Sequence, residues 1–278
     1  MRLRITTLSE NTAGRDNILA EWGLSILIET DGARVLLDTG QSISAVNNTD
    51  KLGVDLSRID KIVLSHGHYD HTGGLRPLLV RMKREVEVIG HPGIWATKYR
   101  RRQGQADRYI GIPYQREELE SLGARFNLSA KPVKLTDNIM TIGEIPMVTG
   151  FEDAGTNLFV KENNGWRPDE FPDDQALIIR AESGLVVILG CAHRGIINTL
   201  YHARKLTGVE RVYAVIGGSH LIGTTEERVW ATVAALKDLN VQKLGLCHCT
   251  GMPATVILAQ EFGEKFIFNN AGSVIDLP

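Results

Sequence analysis

The chain has only three cysteines, Cys191, Cys247 and Cys249, among its 278 residues. An odd number cannot close a paired disulfide framework, and a chain this long can bury enough surface to fold without one. Neither sign of charge dominates: 31 Lys+Arg stand against 33 Asp+Glu, a net −2. That balance speaks against a general nucleic-acid binder, which needs a strongly basic face. No run of about 18 apolar residues is present to span a membrane. The opening stretch MRLRITTLSENTAGRDN lacks the apolar core and small-residue cleavage site of a signal peptide. These absences predict a reduced, cytoplasmic protein without a membrane partner. No Pro-, Ser- or charge-rich linker and no repeat divides the sequence, so one domain over 1–278 is expected.

What is there is a succession of short aliphatic runs separated by glycine turns and amphipathic helices. Early segments favour hairpins: Ile26–Thr30, an Asp31-Gly32 turn, then Arg34–Asp38. Later segments alternate strand and helix, with helices expected at Gly195–Thr207, Glu226–Leu239 and Ala254–Phe262. Lys131–Leu135 and Phe266–Phe268 also read as strands. The mixture predicts an α+β fold, two sheets with helices outside, in place of one doubly wound parallel sheet. Residues 91–114, HPGIWATKYRRRQGQADRYIGIPY, read as an inserted basic flap. Lys98, Arg100, Arg101, Arg102 and Arg108 crowd there; a solvated loop is one reading and a phosphate-binding surface the other.

Three of the eight histidines fall within six positions, His66-Gly67-His68-Tyr69-Asp70-His71, directly after the buried-strand run Ile62–Leu64. Residues i and i+2 at a strand end project to one side, so His66 and His68 can grip one cation. Asp70 and His71 offer a carboxylate and a third imidazole to a second cation. Crowding these groups together without a metal serves no packing purpose.

The His-X-His-X-Asp-His pattern after a buried strand resembles the metallo-β-lactamase superfamily. The resemblance implies a four-layer αββα sandwich with a metal site at one edge of its two sheets. It also implies two divalent cations, zinc first and iron or manganese as alternatives. Asp38, in Leu37-Asp38-Thr39-Gly40, matches a family aspartate that supports the metals from behind. Cys191 stands where the family has a metal-bridging aspartate, and His248 matches its late histidine. The usual third-histidine stretch, around Glu144–Glu152, contains no histidine. Either Cys191 ligates as thiolate, or His193 supplies the missing imidazole, or both. The expected ligands are therefore His66, His68, Asp70, His71, Cys191, His193 and His248, with Asp70, Asp38 and His220 in catalytic roles.

Ala20–Ser25, the Gly190-Cys191-Ala192-His193 stretch, Gly217–Leu221 and Cys247–Gly251 together resemble one subgroup, the dihydropterin-type synthases of methanopterin biosynthesis. That implies a phosphorylated small-molecule substrate, with Arg100, Arg101, Arg102 and Arg108 as its phosphate ligands. A metal-dependent hydrolase uses the same site, and a di-iron redox or non-catalytic metal-binding member is the alternative from another class. Cys247 and Cys249 are expected to point away from His248 as core thiols. Glu152 and Asp174 read as solvated loop residues, and His91 and His202 as structural.

Overall fold

A computed structural model describes residues 2–155, 157–163 and 165–278. The first half runs β1 (Leu3–Ser9), β2 (Ser25–Thr30), β3 (Arg34–Leu37), α1 (Ser44–Leu52), β4 (Lys61–Val63), α2 (Tyr69–Thr72), α3 (Leu75–Met82), β5 (Val86–Gly90), β6 (Lys98–Arg100), β7 (Arg108–Tyr109), α4 (Arg116–Ser121) and β8 (Ala124–Leu128). The second half runs β9 (Ile139–Thr141), β10 (Leu158–Glu162), β11 (Gly165–Pro168), β12 (Leu177–Ala181), β13 (Gly184–Leu189), α5 (Ile196–Thr207), β14 (Val212–Gly218), α6 (Glu226–Asp238), β15 (Lys243–Cys247), α7 (Met252–Phe262) and β16 (Val274–Leu277).

Two sheets carry the core. One has seven strands in the order β16-β1-β2-β3-β4-β5-β8, the other five in the order β15-β14-β13-β12-β9. Alternation along each strand sends one set of side chains between the sheets and the other set under helices. In β2, Ile26 and Ile28 join Ile5, Leu37, Leu177, Ile179, Val186 and Ile188 between the sheets. Leu27 points the other way, packing with Leu36, Ile62, Leu75 and Leu78 beneath α1 and α3. On the far side Val187, Leu189 and Val215 pack against Ile197, Leu200, Leu236 and Leu258 of α5, α6 and α7. With both faces buried, these strands read as near-continuous aliphatic runs. The layers are helix, sheet, sheet, helix.

The Asp31-Gly32 hairpin forms as expected, with Glu29 opposite Arg34. Lys131–Leu135 and Phe266–Phe268 are not strands; each makes only an isolated bridge, Lys134 to Met140 and Leu244 to Phe266. Pro132 lacks the N–H that a ladder needs. Segment 91–114 contributes β6 and β7 to a third sheet of four strands, β11-β10-β6-β7, so the basic flap is built on hydrogen-bonded strands. That sheet is tied to the histidine-rich turn: Tyr69 N donates to Ile110 O at 2.9 Å and Ile110 N to Lys98 O at 2.9 Å. Among the described residues no helix is long and apolar enough to cross a membrane.

Candidate metal centre

The centre sits where β3, β4, β13, β14 and β15 end. After β4 the chain leaves the strand at Leu64 and bends through Ser65-His66-Gly67 into α2. The glycines here serve close approach and not a left-handed turn. A Cβ on Gly67 would lie 2.1 Å from Ile94 O, and one on Gly74 would lie 1.8 Å from Thr39 O. Non-glycine residues with left-handed backbone cluster at the centre: Asp38 (φ 59°), Phe171 (50°), Ala192 (54°), His220 (46°) and His248 (53°). Such conformations cost energy and persist where surrounding packing holds them.

Two donor sets meet. In the first, His66, His68 and His193 bring one ring nitrogen each within 4.8 Å of one another. His66 Nε2 lies 3.0 Å from His68 Nδ1. In the second, Asp70, His71 and His248 do the same. His71 Nε2 stands 3.2 Å from His248 Nε2, and Asp70 Oδ2 stands 3.5 Å from His248 Nε2. Cys191 lies between them: its thiol groups with His66 and His71, with His193 and His220, and with His248 and Cys249.

These side chains are fixed from behind. Asp38, fully buried, accepts from Ser65 N (2.7 Å) and Ser65 Oγ (2.6 Å), and its Oδ2 lies 2.7 Å from His71 Nδ1. That contact turns His71 Nε2 toward the centre. Asp38 faces Ser65 and His71 and none of the other expected ligands, the geometry of a group that positions His71. Trp22 Nε1 donates to Asp70 Oδ2 at 2.9 Å. Glu10 Oε1 accepts from His248 N at 2.8 Å, and Asn11 Oδ1 stands 2.9 Å from His248 Nδ1. His193 is stacked on Phe171, ring centroids 3.9 Å apart and nearly parallel at 4°.

A buried ammonium organises the loop side. Lys98 Nζ donates to Asp169 Oδ2 (2.6 Å) and Asp173 Oδ1 (2.9 Å), all three side chains being at most 1% exposed. Asp173 Oδ2 accepts from Gly67 N at 2.8 Å, and Asp169 Oδ1 accepts from Phe171 N at 2.9 Å. Lys98 therefore ties the third sheet to the backbone carrying His66 and His68 and to the ring under His193. It takes no part in the basic surface on which the sequence placed it.

Protonation follows burial and neighbours. Burial, then the adjacent imidazoles, keep His66 and His193 well below the ordinary histidine range, so their lone pairs are free. His68 is likewise depressed, by burial and then by Lys98. Burial also opposes a charge on His71, but Asp38 outweighs it and raises the imidazole to about 9. Burial opposes ionisation of Asp70 as well, yet His248, His71 and His68 hold its carboxyl well below the usual range. The Cys191 thiol is pushed up by burial, so a cation is needed to take its proton's place. Asp174 is raised to about 7, chiefly by burial.

The donors fit a divalent cation. His68 Nε2 and both ring nitrogens of His193 are buried without a hydrogen-bond partner among the described residues. Buried polar atoms in a merely structural cluster are normally satisfied. Imidazoles, one carboxylate and a thiol form a mixed set suited to zinc, iron or manganese.

Other expectations are corrected. Glu152 and Asp174 are buried and not solvated: Glu152 accepts from Ile197 N (2.9 Å) and Asn198 N (2.8 Å) at the start of α5, and Asp174 Oδ2 accepts from Arg194 N (2.9 Å). Helix N-termini leave such N–H groups free, and acidic side chains satisfy them. Cys247 does turn into the core, beside Asn269. Cys249 does not point away; it meets Cys191 and His248, and accepts from His220 N at 3.2 Å. The left-handed backbone at His248 ends the strand alternation on which that expectation rested. His220 lies half-buried with its ring 4.1 Å from that of His193. His91 and His202 are remote, held by Glu144 and by Ile142 O.

A family model described as the metallo-β-lactamase superfamily matches residues 23–203. The chain belongs to the metallo-β-lactamase superfamily. Within it, the chain is 35% identical, over 98% of its length and 96% of the relative's, to the 7,8-dihydropterin-6-methyl-4-(β-D-ribofuranosyl)-aminobenzene-5'-phosphate synthase of Methanocaldococcus jannaschii. A solved structure described as Tm1679, a metal-dependent hydrolase of the β-lactamase superfamily, superposes with a TM-score of 0.85 at 31% identity, covering 99% of both chains. The metallo-β-lactamase-fold protein YhfI of Bacillus subtilis, at 13% identity and TM-score 0.59, shares the fold.

Proposed function

We propose that this metallo-β-lactamase-fold chain is a metal-dependent enzyme of phosphorylated small molecules. In this reading it holds two divalent cations, zinc first, joined at Cys191. The observation carrying the proposal is the pair of donor sets sharing one thiol, with unsatisfied buried nitrogens in one of them. The near-full-length likeness to a synthase whose product is an aminobenzene phosphate supports a transfer reaction. In that reaction the C–O bond between a dihydropterin methylene carbon and its diphosphate breaks, the amine nitrogen of a ribofuranosylaminobenzene phosphate bonds to that carbon, and the amine gives up a proton as diphosphate leaves.

His66, His68 and His193 would hold one cation and Asp70, His71 and His248 the other; when bound, they supply Lewis-acid charge to phosphoryl oxygens as negative charge develops. The chain's own residues do the rest. Asp38 and Trp22 keep His71 and Asp70 oriented at no reorganisation cost. Phe171 closes one side of the centre with an apolar ring, excluding water. His220, with Nδ1 lacking a hydrogen-bond partner among the described residues, stands where it can hold or pass a proton beside His193.

A hydrolase acting on phosphate esters is the second reading, favoured by the solved hydrolase at 31% identity. Pyrophosphate release from hydroxymethyl-dihydropterin diphosphate separates the two. Release that requires the aminobenzene phosphate supports transfer; release into water alone supports hydrolysis. No release, together with no turnover of phosphodiesters or thioesters by the metal-loaded protein, contradicts both.

A further inference from the structure

The four arginines expected to bind phosphate are not equivalent. In the β6–β7 pair Tyr99 stands opposite Tyr109 and Arg100 opposite Arg108. Alternation places Lys98, Arg100 and Arg108 on one face and Tyr99 and Tyr109 on the other. The first face is the inner one, because Lys98 is buried, as are Val160 opposite it and Leu158 opposite Arg100. Arg101 is already used outside: it pairs with Asp107 at 2.9 Å and lies 4.1 Å over the Trp166 ring. Arg102 is exposed on the turn.

Arg108 reaches toward the metal centre. Its Nη2 donates to Tyr69 Oη at 3.1 Å, and its guanidinium lies 5.2 Å from the Tyr69 ring, one residue before Asp70. Like charges directly opposite in an antiparallel pair are destabilising. Arg101, Arg116, Arg125 and Arg167 each have a carboxylate partner. Among the described residues, none is recorded for Arg100 or Arg108. Two planar guanidinium forks side by side, with no acid between them, match a tetrahedral oxyanion.

We propose that Arg100 and Arg108 form a clamp for a phosphate monoester on the substrate, with Arg101 and Arg102 outside it. The inference rests on the reading that the substrate is phosphorylated. It also sets direction: the monoester end lies on the third sheet and the reacting end on the histidine side.

Calorimetric titration of ribose 5-phosphate, as probe, into the metal-loaded protein tests the clamp without turnover. Arg100→Ala and Arg108→Ala should each weaken binding by about tenfold or more, the usual effect of losing a charge-assisted contact. Arg101→Ala, Arg102→Ala and the wild type stripped of metal should bind as the metal-loaded wild type does. Unchanged binding in both Arg100→Ala and Arg108→Ala overturns the clamp, as does loss of binding in the metal-stripped wild type, which would place the phosphate on the cations. Failure of the transfer and hydrolysis assays with this binding pattern intact would instead count against the proposed reaction.

Discussion

Lys98→Met should be among the most damaging single substitutions outside the donor set. It removes one ammonium and leaves Asp169 and Asp173 stranded in an interior where neither is more than 1% exposed. Two short contacts, 2.6 and 2.9 Å, disappear together. Breaking a buried ion pair from one side costs about 3–5 kcal/mol, because the remaining charge is uncompensated. A chain of this size loses roughly 2–4 °C of melting temperature per kcal/mol, so a fall of roughly 6–20 °C is expected by calorimetry. The triple variant Lys98→Met, Asp169→Asn, Asp173→Asn keeps acceptors for Phe171 N and Gly67 N without stranded charge, and should recover more than half of the loss. A single variant melting within a degree or so of wild type, or a triple variant no better than the single, would refute the reasoning.

Asp38→Asn should leave the fold intact but weaken metal affinity about 10–100-fold in a chelator competition, since the group orienting His71 Nδ1 is altered. In metal-free protein His71 is raised to about 9 from an ordinary 6.5, so its contribution is fully present below about pH 6.5 and lost as pH rises through 9. That contribution is on the order of 3 kcal/mol, and the matching slope in denaturant stability should vanish in Asp38→Asn. His220→Gln should lower kcat by about tenfold or more while metal content stays unchanged, as loss of a proton-transfer group does.

Much of the fold was legible because both sheets are buried on both faces, which makes β2, β12, β13 and β14 aliphatic runs. The edge strands β7 and β8 were not. Ala124–Leu128 carries only a short, half-buried alternation with Arg125 and Asn127 facing solvent, and Arg108–Tyr109 is two exposed residues without a hydrophobic pattern. At the centre, His66, His68, Asp70 and His71 announced themselves by adjacency. His193 and Cys191 were left as alternatives, because sequence spacing cannot tell which of two residues past a strand end turns inward; the structure brings both in. Cys249 was expected in the core and Phe171 was not singled out, because left-handed backbone at His248 and at Phe171 itself sets their direction. Lys98 was misplaced for a simpler reason: its acid partners lie 71 and 75 residues downstream.

The central claim is a pair of donor sets joined at Cys191. Elemental analysis of anaerobically purified wild type beside His193→Ala and His248→Ala tests it most directly. The account predicts about two metal equivalents per chain, falling to about one in each variant. Trace metal in the wild type, or full content retained in both variants, would contradict it.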